Sequence, residues 1–168
     1  MAIDPDSTPI DLAVVGAGTA GLAAALAAAG AGARVLLLEA APDIGGTLHL
    51  SHGQLSAAGT RLQAARGIVD SPDAHFEDVM RLSEGLADPR LVRRAVDEAP
   101  AAVDRLLAAG LAPLPDHPTT GESPGRPGYR TPRYLWAQGQ GRDILALLRR
   151  ELAPLLAAGR VRLVTGAR

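Results

Sequence analysis

Three glycines, Gly16, Gly18 and Gly21, stand between an apolar run and an alanine-rich run in DLAVVGAGTAGLAAALAAAG, residues 11–30. Cradling phosphate is the chemistry such a spacing serves. The first glycine permits a tight turn, and the second lets a pyrophosphate approach bare backbone. The third permits close helix–strand packing. Ala17, Thr19 and Ala20 complete the loop with small side chains. Glu39 follows 18 residues after Gly21, the separation at which a carboxylate accepts hydrogen bonds from ribose hydroxyls. The same carboxylate disfavours a 2′-phosphate, which it would repel. These residues together point to a dinucleotide.

Other reactive side chains are sparse. The chain has no cysteine, which excludes disulfides, thiolate catalysis and cysteine-bound zinc. His49 and His52 lie three apart, but no carboxylate or thiol is spaced to complete a metal site, and none is expected. No Ser–His–Asp arrangement follows from spacing. The acids between Ser71 and Ala109 alternate with arginine, the pattern of a solvated helix face. No catalytic residue is assigned.

The elements that must position the glycine loop read clearly. Ile10–Val15 is a short apolar run expected to form a buried parallel strand. Thr19 to about Ala29 is an Ala/Leu helix closed by Gly30 and Gly32. Val35–Leu38 is a second buried strand ending on Glu39. Strand, helix and strand make a unit of about 30 residues, the length of a right-handed parallel crossover. A loop, APDIGGT, follows, with a helix expected to start near Gly45. Two more helices are expected over Ser71–Gly85 and Asp88–Ala109, the second with Asp88 as N-cap and Pro89 in its first turn. Residues 110–133 are rich in Pro and Gly and read as a surface loop or connection. A last helix opens at Gly141 or Asp143 and runs to about Ala158, and Val161–Thr165 is a final strand. Residues 1–9 read as a disordered leader.

At 168 residues the chain is the size of one domain. A formal net charge of −1 and 2% aromatic residues give no electrostatic or stacking reason to expect nucleic acid. The 22 uncharged residues from Leu12 to Ala33 are long enough to cross a bilayer, but glycine and alanine keep their hydrophobicity low. The acidic residues Asp4, Asp6 and Asp11 are also the wrong flank for a signal peptide. The expectation is a cytoplasmic protein with no membrane span.

The segment from Glu39 to Pro72 resembles the flavoprotein subunit family of fumarate reductases and succinate dehydrogenases, most closely its soluble fumarate-reductase-like and tricarballylate-dehydrogenase-like members. The likeness rests on Glu39, Gly45-Gly46-Thr47, Gly53-Gln54, and Thr60 with Gln63. Weaker likenesses, Ala87–Leu111 and Arg133–Leu152, extend it over nearly the whole chain. The resemblance implies an α/β, Rossmann-like FAD-binding domain of the glutathione-reductase type, with a parallel sheet and flanking helices. FAD is the implied cofactor, held non-covalently, since Thr47 stands where relatives with covalent flavin carry histidine. The site it implies comprises Gly16, Ala17, Gly18, Thr19, Ala20, Gly21, Glu39, Ala40, Gly45, Gly46, Thr47, Ser51, Gly53 and Gln54. Gly45 and Gly46 would bring a second set of amides to the diphosphate, and Gly53 and Gln54 would lie near the isoalloxazine. Gln54 and Gln140 depart from the family pattern, the first in place of its second glycine and the second interrupting the later Gly-rich segment.

The resemblance further implies the N-terminal portion, residues 10–168, of a longer flavoenzyme, with 110–133 a connection and the capping and C-terminal flavin segments absent. Hydride would pass between flavin and a C–C bond activated by carboxylate or ketone on a small-molecule substrate. Two other readings are a non-catalytic nucleotide-binding module and a small NAD-dependent dehydrogenase. The last would need further strand–helix–strand units directly after Glu39, where the sequence has a Gly-Gly turn.

Overall fold

A computed structural model describes residues 9–167; the leader expected over 1–9 lies, but for Pro9, outside the described residues. The chain divides into two compact units. One comprises the residues up to Ser51 and from Leu145 onward, and the other His52–Ile144.

In the first unit, β1 (Leu12–Val15), β2 (Val35–Leu38) and β5 (Val161–Val164) form a parallel sheet in the order β1-β2-β5. Leu12 pairs with Val35, and Val35 with Val161. Helix α1 (Thr19–Gly30) is the crossover between β1 and β2. It buries Leu22, Ala25, Leu26 and Ala29, spaced for one helical face. Its end is set by Ala31 and by Gly32, whose φ of +97° no helix continues through. Leu148 and Leu152 of α5 (Gly141–Ala157) and Leu37 of β2 are buried core residues of this unit. β1 departs from the expected buried strand. It pairs only with β2 among the described residues, and Val15 is 84% exposed. A strand paired on one side leaves much of its surface open.

The second unit holds a two-stranded antiparallel sheet, β3 (Gln54–Ser56) with β4 (Tyr134–Trp136), and helices α2 (Arg61–Ala65), α3 (Pro72–Leu82) and α4 (Pro89–Ala108). Both longer helices start where expected, each with a side-chain cap. Ser71 Oγ accepts from the Ala74 amide at 3.2 Å, and the Asp88 carboxylate accepts from the Arg90 amide at 2.8 Å. Residues 110–133 lie inside this unit and fasten to β4, with Thr119 donating to Tyr134 and Leu114 to Trp136. The solvated-face reading of the acids fails at Asp78, which is fully buried. There it meets the equally buried Arg133 guanidinium, which also binds Asp70 at 2.7 Å. Burial pushes the Asp78 carboxyl up, but hydrogen bonds from Arg133, Arg130 and Arg81 outweigh it and hold the group well below the carboxylate range. No helix among the described residues is long and apolar enough to cross a membrane.

Candidate functional site

The glycine loop is built at the end of β1. Gly16 turns the chain at a φ of +93°, and its amide donates to the Leu38 carbonyl at 2.7 Å, fastening the turn to β2. Gly21 packs against this turn so closely that a Cβ would overlap the Gly16 carbonyl oxygen. Two of the three glycines are thus required by the polypeptide itself.

Gly18 is different. Its φ is −75°, a value any residue adopts, and a Cβ there would meet nothing within 4 Å. It is the N-cap of α1, yet no side chain caps the helix. The first-turn amides of Thr19, Ala20 and Gly21 therefore have no intrahelical acceptor, and the positive end of the helix dipole faces open space. Uncapped donors beside a residue bare for no internal reason are the arrangement that can receive an anion.

Ala17, fully buried, ties the site together. Its amide donates to Glu39 Oε2 at 2.7 Å, and its carbonyl accepts from the Gly45 amide at 2.8 Å. Glu39 Oε1 accepts from the Ala41 amide at 2.8 Å. The amides of Ala41 and Ala17 hold the Glu39 carboxyl below its ordinary value, so it is ionised at neutral pH. Glu39 thus links the loop after β1 to the loop after β2, in which Ala40 forms a bend. Ala17 is the residue the sequence reading undervalued, because its methyl carries no signal and its role lies in its peptide groups.

The helix expected near Gly45 does not form. Gly45 and Gly46 have φ of +117° and +53°, and two successive left-handed residues turn the chain rather than coil it. Only a 3₁₀ turn, Leu48–Leu50, follows, with the Thr47 carbonyl accepting from Leu50 and Ser51 Oγ donating to Leu48. A Cβ on Gly46 would lie 3.3 Å from Gly18 Cα, so the two glycine bends abut. Beside the second bend is a cavity of about 340 Å³ lined in part by Asp43, Ile44, Gly46, His49 and Arg149. Arg149 is paired there with Asp43 at 2.6 Å.

Gly53 and Gln54 belong to the second unit. A Cβ at Gly53, whose φ is +64°, would overlap the backbone of Gln140, so this glycine is accounted for by a chain crossing. Gln54, on β3, lines a separate cleft with His117 and Trp136. Thr60 and Gln63 form a capping box at the start of α2. Gln63 also donates to Asp70 and to the Pro132 carbonyl, each at 2.8 Å. Among the described residues no group of three His, Cys, Asp or Glu is placed to hold a metal ion.

The sequence profile of the family described as FAD binding domain matches residues 11–164. The chain belongs to this family. FAD is accordingly the cofactor of the domain, and the α/β architecture agrees. A fumarate reductase (cytochrome) of Shewanella frigidimarina is 41% identical over 110 residues, 66% of this chain and 19% of that protein. An NADH:fumarate oxidoreductase of Klebsiella pneumoniae is 40% identical over 111 residues, 66% of this chain and 12% of that one. The open conformation of a flavocytochrome c3 fumarate reductase superposes with a TM-score of 0.78 at 30% identity, covering 96% of this chain and 27% of that structure. The chain thus spans a fifth or less of the length of these curated relatives. It is an FAD-binding domain similar to part of the fumarate-reductase flavoproteins.

Proposed function

We propose that the two abutting bends hold the FAD diphosphate. Amides of Gly18, Thr19 and Ala20 would meet it from one bend and those of Gly46 and Thr47 from the other. Glu39, Ala40 and Ser51 would complete the site, with Glu39 accepting from the adenosine ribose. Gly53 and Gln54, in the second unit, are assigned to the flavin end by family resemblance alone. The observation that carries this reading is Gly18, bare of a side chain where neither φ nor packing demands it.

Bound FAD would supply hydride exchange with a C–C bond beside a carboxylate or ketone, and two of the relatives are named for acting on fumarate. The residues of this chain bind and orient the cofactor. A small unsaturated carboxylate of the fumarate type is the proposed substrate. The flavin is held non-covalently, as Thr47 offers no imidazole, and acid precipitation should leave a colourless pellet. A yellow pellet contradicts this.

Calorimetric titration with FAD tests the assignment. Gly18→Val should abolish binding while circular dichroism stays native, because φ there is −75° and a Cβ would meet nothing within 4 Å. Retained affinity would overturn the phosphate-loop reading, and binding of NAD in preference to FAD would favour a dehydrogenase.

A further inference from the structure

The second unit contains a cleft of about 370 Å³, within the range of roughly 300–1,000 Å³ seen for small-molecule sites. Gln54, His117, Thr119, Arg126, Tyr134 and Trp136 line it. Tyr134 and Trp136 are two apart on β4, which puts both rings on one face of the strand. Tyr134 is fixed by Tyr129, stacked at 4.8 Å, and by Gly121, where a Cβ would overlap its ring. Trp136 remains 39% exposed, with the rings of His117 and His52 at 5.7 and 5.9 Å. His117 Nδ1 lies 2.9 Å from the Tyr134 carbonyl. A carbonyl only accepts, so Nδ1 carries the hydrogen.

The charges are placed by a tight turn. Ser123 and Arg126 exchange two backbone hydrogen bonds, at 2.9 and 3.2 Å, and bring Arg126 to the cleft. Among the described residues Arg126 enters no ion pair, and neither does Glu122, which also lines the cleft. One guanidinium attracts one carboxylate, and the Glu122 carboxylate repels a second. An indole and a phenol offer flat apolar area to a conjugated ring.

We infer that this cleft binds a planar, ring-bearing monocarboxylate, its ring against Trp136 and its carboxylate on Arg126. The inference goes beyond the FAD assignment, with which it shares one residue, Gln54; the groups that carry it are Trp136, Tyr134 and Arg126. Trp136 is the only tryptophan in the chain, so its fluorescence reports this site directly. The natively folded 168-residue chain is titrated with trans-cinnamate and, separately, with fumarate, with and without saturating FAD, and calorimetry is run on the same samples. FAD binding itself is followed by flavin absorbance, so loss of one site is distinguished from loss of the other. Cinnamate should give saturable quenching and heat, and fumarate should bind at least about tenfold more weakly. Arg126→Gln should weaken cinnamate by about tenfold or more, the factor set by a charge-assisted bond. Glu122→Gln should tighten fumarate. No saturable cinnamate signal in folded protein, fumarate binding as tightly, or an Arg126→Gln or Glu122→Gln variant identical to wild type would each overturn the inference. Both variants change exposed side chains on the turn, and circular dichroism verifies their folding.

Discussion

Gly16, Gly18 and Gly21 look alike in sequence and do three different things. Gly16 needs its left-handed φ, Gly21 needs the absence of a Cβ, and Gly18 needs neither for folding. Gly21→Ala should therefore lower the urea unfolding midpoint strongly, since the methyl must displace backbone. Gly18→Ala should cost no more than about 1 kcal/mol, the usual penalty for losing a good N-cap residue, yet weaken FAD binding. Equal effects of the two substitutions on stability would contradict this division. Glu39→Gln should weaken FAD several-fold, because it turns one of the two oxygens that accept from the Ala17 and Ala41 amides into a donor and neutralises the proposed ribose partner. An unchanged dissociation constant would take Glu39 out of the site. Spacing made the glycines legible; that Glu39 grips Ala17 was not, since it depends on which way one peptide group faces.

At the scale of elements, the three longer helices before residue 110 were readable, while the short α2 was not, although Thr60 and Gln63 cap it. Ser71, Asp88 and Thr19 mark starts within a residue of those observed. Strands β3 and β4 went unread because each is three residues long and its partner lies about eighty positions away. No local periodicity survives at that length. Thr60 and Gln63, noticed as a family signature, prove to be a structural clasp. Thr60→Ala should cost about 1 kcal/mol, as other cap removals do. Gln63→Ala should cost more, about 2–4 kcal/mol, because it also removes the amide's bonds to Asp70 and to the Pro132 carbonyl. Urea denaturation of both variants checks the order, and a smaller loss at Gln63 would refute it. The buried Asp70–Arg133–Asp78 cluster was hidden for a similar reason. Charge alternation along α3 looks the same whether a carboxylate faces water or a guanidinium fifty residues on.

For the whole molecule, pH supplies a test of that interior. His75 is 3% exposed, its Nε2 lies 3.2 Å from Ser56 Oγ, and its Nδ1 has no partner. Burial first, and then Arg133, push its pKa down to about 4 from 6.5. Between those values the unfolded chain binds more protons than the folded one, so stability rises with pH across the window. The contribution is complete above about pH 6.5 and gone below about pH 4. The thermal midpoint should fall as pH drops from 7 to about 4.5, and His75→Gln should flatten that slope. A wild-type slope no steeper than the variant's would place His75 in water.

The central claim is that amides from two abutting glycine bends hold one diphosphate. A crystal structure of the chain grown with FAD tests it most directly. The diphosphate oxygens should lie within hydrogen-bond distance of the Gly18–Ala20 amides on one side and of the Gly46 or Thr47 amide on the other. A diphosphate seated elsewhere, or touching only one bend, would contradict the account.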